Sequence, residues 1–471
     1  MMHCFITPAW KEGNRKTKYA RWATSIGRPV VVMLHVAIIL GTLLQRFQSE
    51  ASTLIPGVRD FAWKKLHGSS SVDSNGNYDH FGRAVAISDS GNTVAISSWA
   101  DTNAADSGAV HIYNYDSGSD DWIWSQSLTA SESAREDYFG VSVAMSGDVL
   151  AVGSYLDDNA RGNDAGSVYV FEYDPATSQW DQTERLEASD GSTNDRLGWS
   201  VDTADGTTIV AGATNDNQGA AYVWTRQNTS SPWSQSQKIV ASVVETSDQY
   251  GWHVAVSGNH IAVSSWNLVP EAGTSGEYGG TVYIFKSNGA EPTPIWNEYQ
   301  TLVPSDVRNR DLFGNSISMS GSRMVIGAPH WRTDGGVETP GYAYVYDLTS
   351  GGMPEYSLTQ KLAASDGEIG DQFGYGVAVD GDIIVVGARA DGTSASGSAY
   401  LFQLDSNTWT ATHKLELASP TGGASDWVGQ DVAISGTTAL IGSNHDSNTA
   451  GGFAYILRPT CGIDKTTIFA V

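Results

Sequence analysis

The chain has 471 residues, of which only 17% are charged, with 51 Gly and 16 Trp; this is the mixture of many short strands joined by tight turns, and it leaves little room for long amphipathic helices. Its formal net charge is −25, and setting aside residues 1–50, with seven basic and two acidic residues, leaves 20 basic against 50 acidic ones. A surface this acidic keeps a protein soluble, repels phosphate backbones and so argues against nucleic acid as a partner, and favours cations or basic partners.

Residues 1–29 form a basic leader carrying Lys11, Arg15, Lys16, Lys18, Arg21 and Arg28, and residues 30–44 are a hydrophobic run ending at Leu44. Such a run beside a basic flank is an export signal, although it falls short of the about 20 residues of an ordinary spanning helix. Two outcomes stay open: a signal peptide cut after Ser49-Glu50-Ala51, or an uncleaved single-pass type II anchor with the C-terminal bulk outside the cell. The membrane is then a partner only through this segment, and the chain is either surface-displayed or secreted. Residues 45–60 read as a linker. The two cysteines, Cys4 and Cys461, lie at the chain's ends, so no disulfide framework exists between them. Asn228-Thr229-Ser230 is a glycosylation sequon usable in a secretory pathway.

From residue 61 to 458 one unit recurs. Each copy opens on Asp, one residue, an aromatic or apolar residue, then Gly; the Asp positions are Asp79, Asp137, Asp195, Asp248, Asp311, Asp371 and Asp426. Their glycines, Gly82, Gly140, Gly198, Gly251, Gly314, Gly374 and Gly429, are 58, 58, 53, 63, 60 and 55 residues apart. An alternating strand follows, as in Val141 to Met145, then a tight turn such as Ser146-Gly147-Asp148, a second strand rich in small residues, Leu150 to Gly153, and a third, Gly166 to Phe171. A fourth carries Trp180 and ends at Leu186. Four strands in a unit of this length make one propeller blade. The expected fold is therefore all-β, a seven-bladed β-propeller of four-stranded antiparallel blades. The seventh unit stops after three strands, and Phe61 to Leu66 matches the missing fourth, so an N-terminal strand closes the ring and removes both open edges. Residues 459–471 are a C-terminal tail.

The recurring Phe-Gly, Ser-Val, Val-Gly-Ala and Gly-x-Val-Tyr-Val-Phe elements resemble the FG-GAP repeats of integrin α-subunit propellers and related surface proteins, over roughly Phe61 to Leu457. That resemblance implies the propeller fold and a cell-adhesion or binding role; fold alone does not settle function. Integrin-like repeats often hold calcium between the first two strands. Here those turns are as short as Ser90-Gly91 or Asp205-Gly206, too small to surround an ion needing six to eight oxygens, so these calcium sites do not carry over.

Two other loops carry oxygen ligands at a calcium-like spacing: Asp157, Asp158 and Asn159 with Asp164, and Asp73, Asn75, Asn77 with Asp79. Calcium is the cofactor they would take, against the reading of solvated, turn-forming Asp and Asn. The seven repeat Asp residues are structural anchors that accept backbone N–H bonds where the chain leads into each blade. Trp63, Trp180, Trp233, Trp296 and Trp409 recur on outer strands and pack blade to blade. Antiparallel strand order brings the long loops between second and third strands to one face. Trp99, Trp266 and Trp331 fall in or beside those loops, and with Tyr155 and His330 are candidates to stack on a sugar or fill a partner's pocket. No catalytic constellation is found. The expectation is a non-enzymatic propeller that binds an extracellular protein or glycan through its loop-rich face. The rivals are a secreted hydrolase of glycans or phosphoesters using a carboxylate pair such as Asp157 and Asp334, and a structural matrix component.

Overall fold

The structure is a computed structural model and describes residues 61–67, 79–99, 107–132, 134, 136–243, 248–266, 279–289, 294–308, 310–330, 339–349, 355–392, 395–416, 426–445 and 451–459. The leader and the apolar run at 30–44 lie outside these residues; among the described residues no helix is long and apolar enough to cross a membrane. Among the described residues, twenty-eight strands form seven four-stranded antiparallel sheets, the blades of a propeller. The innermost strands are Phe81–Ile87, Val143–Ser146, Leu197–Ala204, Val254–Ser257, Ile317–Ser320, Phe373–Asp380 and Val432–Ser435. In blades 1 to 6 the four strands of a sheet are consecutive in sequence. The seventh sheet consists of Val432–Ser435, Thr438–Ser443 and Phe453–Pro459, with Phe61–His67 hydrogen-bonded alongside the last of these.

Burial follows the position of each strand in its blade. The second strand is buried throughout in Val149–Ser154 and at all but its first residue in blades such as Thr93–Ser98, because both of its faces pack on neighbouring blades. The fourth, exemplified by Gln179–Leu186, alternates exposed and buried residues and turns only Trp180 and Leu186 fully inward. The core therefore lies between blades as a ring of seven apolar clusters. One of them joins Ala151, Val168 and Val170 of blade 2 to Ile209, Ala211 and Tyr222 of blade 3.

The repeat's glycines mark where these interfaces are tightest. In each anchor the residue after Asp takes a left-handed conformation, for example Tyr138 at φ 53° and Gln249 at φ 51°, and the following Gly does so too, with Gly251 at φ 88°. The second-strand glycine of one blade faces the anchor glycine of the next. A Cβ on Gly212 would stand 1.9 Å from the Gly251 carbonyl oxygen, and one on Gly387 would stand 2.1 Å from that of Gly429. In blades 1 and 4 serine takes the second-strand position; the Ser97 hydroxyl accepts the N–H of Ala84 on its own inner strand, and the Ser264 hydroxyl that of His253, just ahead of its own inner strand.

Polar side chains stitch the rest of each interface. On the outer edge Gln126 bonds both backbone groups of Trp180, at 2.9 Å each, and Gln237, Gln300 and Gln360 do the same for Trp296, Tyr356 and Trp409. On the inner edge, side chains accept N–H groups of the next blade: Ser200 from Val254, Asp202 from Val256, Ser316 from Val377, and Asp431 from Val85. These acceptors cover strand edges that would otherwise present unpaired donors to the central channel.

The contacts of the glycine seam separate two kinds of glycine substitution. Gly212→Ala drives a methyl group into backbone and should cost about 3 kcal/mol, read as a lowered urea midpoint. Gly147→Ala, at φ 59° in a hairpin with nothing within 4 Å, meets only conformational strain and should cost about 1 kcal/mol. Equal losses at the two positions would contradict the seam.

Candidate ligand-binding collar at the channel mouth

Each blade sends three residues to the rim of the channel on the loop-rich face: the residue after the anchor Asp, the residue after the anchor Gly, and the first residue beyond the second strand. Because the left-handed turn and the glycine contact hold the backbone there, these side chains stand on rigid supports. In blades 1 to 4 they are largely aromatic and touch in sequence around the rim. His80 meets Trp99 at a ring-centroid distance of 5.8 Å, Trp99 meets Tyr138 at 4.9 Å, and Tyr138 stacks on Tyr155 at 5.7 Å. The arc continues from Tyr155 to Trp199 at 5.0 Å, from Trp199 to Trp252 at 4.9 Å, and ends in the parallel pair Trp252 and Trp266 at 4.5 Å. All of these rings are half-buried.

Blades 6 and 7 add a second group. The Arg389 guanidinium lies 3.7 Å over Tyr375 and 5.6 Å from the Trp427 ring, its Nε donating to Gln372 and its Nη1 to Gln430. Trp427 meets His445 at 5.9 Å. Among the described residues the corresponding positions of blade 5 are Leu312, Asn315 and Pro329, none of them aromatic.

Below the collar runs a channel of 610 Å³ lined by the inner strands. Burial pushes the Asp202 carboxyl up to about 7, against the pull of backbone N–H bonds from Val256 and Thr203. Asp431 is likewise pushed up to about 6 by burial, and burial lowers His253 to about 4, so that imidazole is neutral at physiological pH.

The residues singled out from sequence divide in the structure. Trp99, Tyr155 and Trp266 come together in the collar. His330 does not join them; it is buried, with Nδ1 2.9 Å from Oδ1 of the anchor Asp311. Trp331 lies outside the described residues, as do Asp73, Asn75, Asn77 and Asp334. Tyr138, Trp199, Trp252, Tyr375 and Trp427 are collar residues that the sequence reading missed. The signal was present: they occupy the two variable positions within an otherwise repeated anchor.

The Asp157 loop is built differently from an ion cradle. Asp157 is buried, its carboxylate 2.7 Å from the Arg185 guanidinium and accepting the Tyr169 hydroxyl at 3.2 Å. Burial pushes it up to about 6, while Ser167 and Arg185 pull it down. Asp158 accepts the Asp164 N–H, and Asn159 bonds Gly166 and Arg161 of the same loop. The arrangement recurs. In blade 3 Lys238 and Tyr222 hold Asp190 and Asp216, in blade 6 Lys414 and Tyr400 hold Asp366 and Asp391, and in blade 5 Lys361 and Tyr344 hold Asp306. In each case tyrosine and base are directly opposed on the third and fourth strands. A calcium ion at Asp157 would have to displace Arg185 from this clasp. Among the described residues no group of three or more His, Cys, Asp or Glu is placed to hold a metal.

The anchor carboxylates serve the backbone. Asp137, Asp195, Asp311 and Asp371 each accept the N–H three residues upstream, at 2.5 to 2.7 Å. Asn228 is exposed in a turn between the third and fourth strands of blade 3, on the face opposite the collar, with its side chain accepting the Ser230 N–H.

The FG-GAP repeat profile matches seven times, at residues 73–113, 122–171, 180–224, 233–285, 296–346, 356–402 and 409–457. The chain belongs to the FG-GAP repeat family. Its fold is the integrin-like propeller of that family, and the seam of glycines described above is the physical content of the repeat. No curated protein matches the chain significantly.

The channel carboxylates make stability depend on pH. Asp202 keeps its proton up to about 7 in the fold, against an ordinary value of 3.8, so between these values the folded state binds more protons than the unfolded one. Its contribution is complete below about pH 4 and is lost as the pH rises to about 7. Asp202→Asn, which keeps an acceptor for Val256, should therefore lose less stability than the wild-type protein between pH 4 and 7. Parallel curves of urea midpoint against pH would refute the assignment.

Proposed function

We propose that this FG-GAP propeller is a non-catalytic binding module that recognises an extracellular protein or glycan through the aromatic collar of its loop-rich face. The observation that carries the reading is the unbroken arc from His80 to Trp266, seven half-buried rings on rigid turns around a concave mouth. Water-exposed aromatic area of this extent costs free energy in an unliganded protein. Trp, Tyr and Arg are also the residues that dominate binding hot spots. Among the described residues Asp157, Asp216 and Asp391 of the same face are each engaged by Arg or Lys and by Tyr within their own blades, which favours binding over hydrolysis by these carboxylates.

The full chain immobilised on beads should retain extracellular matrix or intact cells. Replacing Trp199 and Trp252 together by Ala should reduce retention at least tenfold at an unchanged melting temperature. Asp148→Lys, on the opposite face, should leave it intact. Equal retention by both variants would remove the collar from the reading.

Export rests on the basic leader and apolar run, and closure of the ring on the strand Phe61–His67, whose Lys64 donates to the Trp122 carbonyl of blade 1 at 2.9 Å. Cells making the full chain should display it to an impermeant label or release it into the medium. Deleting residues 61–67 should abolish that folded external pool by opening the last blade. A deletion with normal export and melting would overturn the closure.

A further inference from the structure

We propose that Arg83 reads the carboxylate of an acidic sugar whose ring is seated against the aromatic collar; the inference rests on the collar being the ligand surface. Arg83 follows the anchor Gly82 on the inner strand of blade 1 and is half-buried at the rim, its guanidinium 5.5 Å over the Trp99 ring. Among the described residues no carboxylate pairs with it. By contrast Arg185, Arg226 and Arg323 have carboxylate oxygens at 2.7, 2.6 and 2.8 Å. In a chain with 52 acidic and 27 basic residues, an arginine half-buried at the channel mouth with no carboxylate partner among the described residues differs from Arg185, Arg226 and Arg323.

The surroundings of Arg83 sharpen the point. Asp431 is close enough for Arg83 to lower its pKa, yet its two oxygens already accept the N–H groups of Val85 and Val432. Arg389 stands on the same side of the mouth, stacked on Tyr375, and burial together with the charge of Arg83 makes its guanidinium easier to deprotonate. The Trp99 indole N–H is buried without an acceptor. Arg83 and Arg389 thus set two guanidinium groups beside aromatic faces at the mouth of an acidic protein.

A carboxylate fits the planar donor fork of a guanidinium, and the C–H face of a sugar fits an aromatic ring. Charges separated by more than about 8 Å are largely screened at physiological ionic strength. A single terminal carboxylate at the rim is therefore attracted by Arg83, whereas a densely charged polymer would lie across the repelling surface. The ligand class is a glycan ending in one carboxylate-bearing sugar.

The test applies the full chain to an array of glycans in matched neutral and carboxylate-terminated forms, with a polyglutamate peptide on the same surface. The carboxylate-terminated glycans should be retained at least tenfold better. Arg83→Gln should remove that preference with the melting temperature unchanged and neutral binding preserved, and Trp252→Ala should weaken both forms. Equal retention of both forms, unaffected by Arg83→Gln, would overturn the carboxylate assignment and leave the collar as a neutral-sugar site. Retention of polyglutamate without any glycan would assign Arg83 to a protein ligand. No retention of glycan or peptide would sink the sugar reading of the collar itself.

Discussion

The ring depends on how closely the second strand of one blade approaches the anchor turn of the next. At that seam two backbones meet with no side chain between them, as Gly212 does with the Gly251 carbonyl. Where the second-strand position is glycine, as at Gly212 and Gly387, a β-carbon would stand 1.9 and 2.1 Å from the facing carbonyl oxygen and push that blade outward, and a closed ring cannot absorb such a displacement at one interface without opening another. The glycines at the second-strand and anchor positions, and the serines at Ser97 and Ser264 whose hydroxyls accept N–H groups in or just ahead of the inner strand, are what this geometry tolerates. The left-handed residue just before the anchor aromatic is a consequence of the same turn, since it recurs in all seven blades irrespective of side chain.

From that constraint the division of labour within a blade follows. Apolar second and third strands supply the inter-blade core, the outer glutamines hold the neighbouring backbone, and the acidic loops close on a tyrosine and a base. Repetition is what distinguishes framework from function here. A Tyr–base–Asp clasp found in blades 2, 3, 5 and 6 belongs to the framework, and Asp157 is one of its members. The collar is the opposite case. Its positions repeat but its residues do not, running from Trp252 in blade 4 to Asn315 in blade 5 and Tyr375 in blade 6.

That contrast also explains which parts of the site were readable. Trp99, Tyr155 and Trp266 stand out in sequence because they sit beside long loops. Tyr138, Trp199 and Trp252 were hidden inside the anchor itself, where an aromatic residue reads as one more core ring. His330 is the reverse case: beside a long loop, yet drawn inward to Asp311. Whether a rim residue points to the mouth or to the core depends on a φ of about 50° in its anchor and on the neighbouring blade, and neither is a property of the residue type.

The sequence by itself determined the number of blades, the four strands in each, the hairpin turns and the positions of the glycine anchors, because each is a local pattern repeated seven times. It also determined the strong negative charge and the absence of a disulfide framework within the repeats. Only the tertiary structure decided that rings from four different blades form one arc, that Arg83 lies on Trp99 while the nearby Asp431 is committed to backbone, and that the Asp157 loop closes on Arg185. The physical reason is distance along the chain. Apart from the closing strand Phe61–His67, strand pairs within a blade join residues no more than 26 positions apart and leave a periodic trace. Contacts around the rim join residues from separate blades, and nothing in a linear pattern records which side chains a closed ring brings face to face.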